Sequence, residues 1–540
     1  MKRNPELEIV LKIKNNTNFA QPVELFSAVP NNNFANNSNE IYTWNLSTEN
    51  YVGSYNVTIL ISNSSNPTPV YYSIPLSGNN IQSVVDALNT LNQGIFQASG
   101  TTIYVSNNYY IYGALEVVST IFTSTWNTNN TSVGSSASNQ IQLPLDVGGI
   151  YNFVVDWGDG SQDTITIWNQ AQTLHTYAVA GTYILSINGI IQGFSFNFNG
   201  DRNKLLSIAN WGTLNLGNNG NYFNGCNNLD LSSVIGVLDL SGTTNIDYLF
   251  GNCTFLTTIN NINQWDVSNV VSMVDTFSGA TSFNDNISSW NTLSVIDMNS
   301  MFQGATSFNQ PLNSWNVSNV SIFTSMFSGA TSFNQPLNYW NVSGALIMDN
   351  MFSQANNFNQ DLASWNVSNV QNMSSMFFLA NSFNKNISAW NVSNVTNFSN
   401  MFRSATSFNQ PLNYWNVSSS IDMSAMFRSA TSFNQPLNSW NVSNAINMSE
   451  MFRLATSFNQ NIGSWNVSNV TNFTDFMRGK TNLNYSTTNL DAIYNGWSLL
   501  TVQPTITISF GTIKYTLAGQ SGKNILTGAP NNWVITDGGI

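Results

Sequence analysis

The chain has 540 residues, of which 42% are hydrophobic and 13% aromatic but only 7% charged. An ordinary soluble protein carries about 25% charged residues, so polarity here rests on Asn, Ser and Thr, while the apolar content excludes a disordered polymer and the length predicts several domains. The net charge of −12, the single histidine His175 and the two cysteines Cys226 and Cys253 exclude a basic nucleic-acid binder, a multi-ligand His/Cys metal site and a disulfide-dense scaffold.

Residues 1–120 read as a small β-rich (α+β) domain. Leu7–Lys14, Val57–Ile61, Val70–Ile74, Thr102–Val105 and Tyr109–Val118 predict strands, and Ile81–Leu91 follows helical spacing. Six charges fall within the first fourteen residues, which suggests a docking segment as readily as a solvated edge strand. Glu6 and Glu8 stand where a secretory signal needs an apolar run, so no such signal is visible. No apolar stretch is long enough to span a membrane.

Residues 121–200 contain Trp157-Gly158-Asp159-Gly160-Ser161, then His175-Thr176-Tyr177, then Gly181-Thr182-Tyr183. This series resembles the PKD domain, an immunoglobulin-like β-sandwich of extracellular and surface proteins. The resemblance implies that the Asp-Gly turn and the His-Thr-Tyr segment are structural, so His175 is expected to be a packed strand residue. Asp156 and Asp159 alone make a poor calcium site.

Residues 201–480 repeat. Trp265, Trp290, Trp315, Trp340, Trp365, Trp390, Trp415, Trp440 and Trp465 stand 25 residues apart, and the Met301 to Met451 and Phe308 to Phe458 series keep the same step. Such a period predicts a leucine-rich-repeat-type solenoid. Within one unit, Met373, Met376, Phe377 and Ala380 predict a short helical segment, and Leu362, Trp365, Val367 and Val370 predict the strand side. A lone coil cannot bury both faces, so neighbours must stack. Stacking puts like residues above one another, with the nine tryptophans buried and Asn309 through Asn459 bonding the next coil. Cys226 and Cys253 fall where later coils have Ala280 and Ala305; that place is a small buried site, within disulfide reach but with Cβ vectors that favour free thiols.

The units resemble the repeats of BspA-like surface proteins, through the signature MF-xx-ATSFNQ-xL-xxWNVSNV. That resemblance implies a non-enzymatic extracellular role in adhesion or recognition. The sandwich-then-repeat order also looks like surface and fibre proteins of bacterial viruses, which need no export signal. Residues 481–540 read as a capping module, with a helical turn at Leu490–Trp497 and strands at Thr505–Ser509 and Lys514–Thr516.

Chemistry is sparse. Gly519–Asn524 fails as a phosphate loop because residue 517 is Leu and residue 524 is Asn. The repeat acids Asp349, Asp361, Asp422, Glu450 and Asp475 do not cluster by ladder position except Glu450 and Asp475, which leaves a polysaccharide depolymerase as the weaker enzymatic alternative. Seven Asn-Val-Ser triplets read as coil structure in preference to glycosylation acceptors, because the valine keeps the core period. Arg403, Arg428, Arg453 and Arg478 form a column at 25-residue steps. Glu450 and Asp475, three residues before the last two, predict a half-neutralised column. It reads first as a solvated edge and second as a binding strip for an anionic partner.

The expectation is therefore a mainly β, non-enzymatic structural or adhesion protein without cofactor or metal. The first reading is a virion-associated fibre or surface decoration, anchored to other virion proteins by residues 1–120 and presenting the solenoid to a host glycan or receptor. The second is a cell-surface adhesin of the BspA-like type. Self-association is left open.

Overall fold

The computed structural model describes residues 120–540 throughout and, before them, the backbone of eight strands: β1 (Val10–Ile13), β2 (Val23–Ser27), β3 (Tyr55–Asn63), β4 (Asn66–Leu76), β5 (Phe96–Ser99), β6 (Thr102–Val105), β7 (Tyr109–Ile111) and β8 (Glu116–Ser119). The expected helix at Ile81–Leu91 lies outside the described residues. β3 pairs antiparallel with β4 on one side and with β7 and β8 on the other.

The next strands are β9 (Phe122–Asn127), β10 (Gln140–Gln142), β11 (Leu145–Asp156), β12 (Gln162–Ile165), β13 (Leu174–Thr176), β14 (Thr182–Phe194), β15 (Leu205–Asn210) and β16 (Leu214–Asn215). A main sheet runs β12-β11-β14-β9-β15, with β16 beside β14, and β10 pairs with β13 in a second, two-stranded sheet. Alternation decides the faces: Tyr151, Phe153 and Val155 of β11 are buried, while Asn152 and Val154 between them are exposed. β15 joins sheet to solenoid. It pairs with β9 on one side, and its Ser207 and Asn210 bridge in parallel to Asp230 and Ile235 of the first coil on the other. One hydrophobic cluster consequently runs from Phe122 to Trp533 without a break.

From Ser272 onward each coil contributes one parallel bridge residue, in the succession Ser272, Asp297, Ile322, Ile347, Asn372, Asn397, Asp422, Asn447, Asn472. The expected helix at Met373–Ala380 does not form. The N–H groups of Met373, Ser375, Phe377 and Leu379 donate to carbonyls of the next coil, whereas those of Met376, Phe378 and Ala380 close turns on residues three back. Ser375 and Leu379 have φ of 55° and 56°. That left-handed backbone aims every second N–H along the rod axis, which a helix cannot do. Leu362, Trp365, Val367 and Val370 are buried as expected of the inner side, yet they lie on turns and extended links and not on a strand. The bridge beside them is the only strand-like pairing in the coil.

The C-terminal cap holds α1 (Thr487–Trp497), β17 (Thr507–Ser509), α2 (Leu517–Thr527) and β18 (Val534–Thr536). Each helix begins on a hydroxyl cap, Ser486 for α1 and Thr516 for α2. Lys514–Thr516, expected as a strand, leads into α2, and Gly519–Asn524 lies within that helix. Phe473 bridges in parallel to Ile508, so β17 is the last rung of the coil ladder, and β18 pairs parallel to its outer edge. Trp497, Phe510 and Trp533 close the aromatic core over Phe473 and Phe476. The chain is mainly β.

Candidate functional site

The nine in-period tryptophans are all at most 3% exposed. Six of the eight consecutive ring pairs stack, with centroids 6.3 Å apart and planes 3° apart for Trp365 and Trp390. The indole N–H of each from Trp290 onward donates to a carbonyl 28 residues earlier, as Trp365 does to Leu337 at 2.9 Å. Trp265, at the head of the ladder, has no such partner. These rings offer no open face to a sugar. Beside them Phe377 stacks on Phe402 at 5.7 Å and on Phe383 at 3.9 Å.

The asparagine after each ladder phenylalanine links coils. Asn334 Oδ1 accepts from the Asn359 N–H at 3.0 Å and from Gln360 Nε2 at 2.8 Å. The pattern continues to the cap, where Asn459 Oδ1 accepts from the Ser486 N–H. Polar groups that a tight coil would strand are satisfied in this way.

Cys226 and Cys253 are free and fully buried. The Cys253 thiol donates to the Phe223 carbonyl at 3.1 Å. Burial pushes the Cys226 thiol well above its usual range and the Cys253 thiol up to about 12. Both therefore stay as thiols at neutral pH, and a thiol needs solvent access and ionisation to react. The folded chain at pH 8 should be inert to an aromatic disulfide reagent, and two thiols should titrate once guanidinium unfolds it. Fast labelling of the folded chain would contradict this burial.

The arginine column is more fully neutralised than its sequence spacing suggests. Glu450 bonds both Arg428 of the coil before and Arg453 of its own coil, the second at 3.2 Å. Asp475 likewise bridges Arg453 at 3.4 Å and Arg478 at 3.0 Å. Arginines and carboxylates thus alternate in one zipper that ends on Arg478, whose side chain is 61% exposed. Arg403 stands apart. Its Nη1 donates to Asn400 Oδ1 at 3.1 Å, and its guanidinium lies over the Phe378 ring at 5.2 Å. It is the one column arginine with no carboxylate partner among the described residues.

The other acids singled out in the sequence serve the turns. Asp361 and Asp422 accept N–H bonds two residues on, and Asp349 accepts from Thr324 Oγ1 at 2.7 Å. In the sheets ahead of the coils, Asp156 accepts from the Gly158 N–H, and Asp159 accepts from Ser161 and meets His175 Nε2 at 2.9 Å. Although partial burial opposes it, bonding from Ser161 and His175 draws the Asp159 carboxyl down to about 2. His175 itself stacks on Trp157 at 4.7 Å and meets Tyr177 edge-on at 4.5 Å. This is a packed strand residue in β13.

Two lysines at the ends of the solenoid escaped the sequence reading. Lys204 is fully buried, and its Nζ donates to the carbonyls of Ser136, Ala137 and Gln140 beside the Asp201 carboxylate at 3.1 Å. Lys480 is equally buried, and its Nζ donates to the carbonyls of Ala455, Thr456, Phe458 and Asn484. Burial pushes Lys480 down to about 7. The signal lay in the period: residue 480 is the next position of the alanine column after Ala455.

Residues 244–364, 339–424 and 387–491 match the family described as Mycoplasma protein of unknown function, DUF285. The matched stretches cover the regular coils and are compatible with a BspA-like repeat protein. No curated protein and no solved structure matches the chain.

Proposed function

We propose that this chain is a non-enzymatic structural and adhesion protein. In the favoured reading it is a fibre or surface decoration of a virion, held by residues 1–120 and displaying a PKD-like sandwich and the solenoid to a host surface. The observation that carries the reading is the covered, continuous core. A sheet closes one end of the coils, α1, α2 and β17 close the other, and the interior ladders are spent on one another. Such a rod holds a recognition surface rigidly at a distance from its anchor. The likeness of the coils to a Mycoplasma family supports a second reading, a cell-surface adhesin of the BspA-like type.

Labelling with antibodies to the coils, followed by electron microscopy of purified particles and of intact cells, separates the two. Decorated particles are the expected result, and label confined to cell envelopes would favour the second reading. Competition by the purified chain tests adhesion: it should block attachment of the labelled particle, and attachment unaffected by a large excess would end the adhesive role.

A further inference from the structure

We propose that the cavity where the last coil meets the cap, beside Arg478, binds the carboxylate of an acidic sugar, whose source in a host glycan rests on the adhesive reading above. The zipper itself sets the chemistry. Glu450 bonds the arginine of the coil before and the arginine of its own coil, and Asp475 repeats this one coil further on. Each acid therefore lies between two guanidinium groups, and three arginines share two carboxylates. Arg478 is the last of the three. Beyond it the ladder passes to β17, whose Thr507, Ile508 and Ser509 include no acid, so nothing there continues the alternation. Asp475 holds Arg478 Nη1 at 3.0 Å, and no bond from a described residue reaches its Nε or Nη2. A guanidinium offers five donors in a fork, so this one keeps donors for a second carboxylate.

The space beside it is a cavity of about 490 Å³, bordered by Arg478 and by the hydroxyl residues Thr507, Ser509, Thr512 and Thr536. Strand alternation builds that wall. Ile508 is buried, which leaves Thr507 and Ser509 on the outward side of β17, and Thr536 of β18 stands opposite Ser509. The hydroxyls of Thr507, Thr512 and Thr536 make no bond among the described residues. Lys480 also borders the cavity, but its Nζ is spent on four carbonyls, so Arg478 supplies the charge. One forked cation beside several free hydroxyls suits a ligand with one carboxylate and several hydroxyls of its own. A doubly charged phosphate would meet Asp475 with one unmatched guanidinium charge to hold it, which disfavours it.

Isothermal titration calorimetry of the full-length chain at pH 7 and low salt tests this. The probe is trigalacturonate; its methyl ester presents the hydroxyls without the charge, and inorganic phosphate presents an anion without the sugar. Trigalacturonate should bind with a Kd on the order of 100 µM, and the ester and phosphate about tenfold more weakly or worse. Arg478→Gln should weaken trigalacturonate about tenfold or more. Thr507→Asp should do the same, because it supplies from within the chain the carboxylate that continues the zipper. Both side chains are exposed, and circular dichroism checks that both variants fold. A wild type that binds no trigalacturonate at about 10 mM, a folded Arg478→Gln that binds it unchanged, or phosphate bound as tightly as the sugar would overturn the proposal. Attachment blocked by a chain that binds no trigalacturonate would sink this site and leave the adhesive role standing; binding by a chain that blocks no attachment would do the reverse.

Discussion

Replacing Trp365 with alanine should lower the unfolding free energy by about 3–5 kcal/mol, the usual cost of emptying a large aromatic site in a packed core. Trp365 lies mid-ladder, stacked between Trp340 and Trp390 and tilted against Phe352. Alanine would remove all three contacts and leave the Leu337 carbonyl without its indole donor. Trp365→Phe keeps most of the ring area and loses the hydrogen bond, so its cost should be nearer 1 kcal/mol. Position matters as well as size. A coil touches only its neighbours, so a central break uncouples the two halves of the stack. Guanidinium unfolding of Trp365→Ala should therefore show two transitions, while Trp465→Ala, beside the cap, should shift one transition. A loss below about 1 kcal/mol in Trp365→Ala would mean that the ladder contributes little to stability.

The reason the ladder could be read from the residues is that a stacked coil repeats most of its interior, residue for residue, with only like-sized exchanges such as Met373 for Phe398. Trp365, Met376, Phe377 and Phe383 return every 25 residues because the coil below leaves each the same space. The path of the coil was not legible in the same way. Met373, Met376, Phe377 and Ala380 have the spacing of a helical face, and successive turns with alternating left-handed residues bury the same four side chains. What separates the two is the sign of φ at residues 375 and 379. The column at 375 holds Ser, Asn, Ala, Glu and Asp in different coils, and no shared glycine announces it. The zipper was hidden for another reason. Glu450 lies three residues before Arg453, a spacing visible along the chain, but its contact with Arg428 crosses 22 residues between coils. Contacts of that kind depend on how far an arginine leans along the rod, and the period says nothing about lean.

The remaining large effect concerns Lys480, where the solenoid meets its cap. Raising the pH from 7 to 10 should stabilise the wild-type chain by on the order of 4 kcal/mol relative to Lys480→Met. Lys480 occupies the alanine column, is fully buried, and has four carbonyl acceptors but no carboxylate. Removal from water pushes it from the usual 10.5 down to about 7, because the charged form loses most by desolvation. Between those two values the unfolded chain keeps the proton and the folded chain has released it. The unfolded state thus binds more protons, and stability rises with pH through that window and is flat below it. Methionine has a similar length and nothing to titrate, so its curve lacks this rise. The comparison rests on the difference in slope, since methionine also leaves the four carbonyls unpaired and shifts the absolute stability. Tyr485 lies 5.7 Å from the Lys480 nitrogen; burial pushes its hydroxyl well above the usual range, so it stays neutral up to pH 10 in both chains. Guanidinium midpoints at pH 6, 7, 8, 9 and 10 give the measurement. Curves that run parallel across the whole range would mean that the four carbonyls hold the ammonium charged inside the cap, and that their pull outweighs the loss of water.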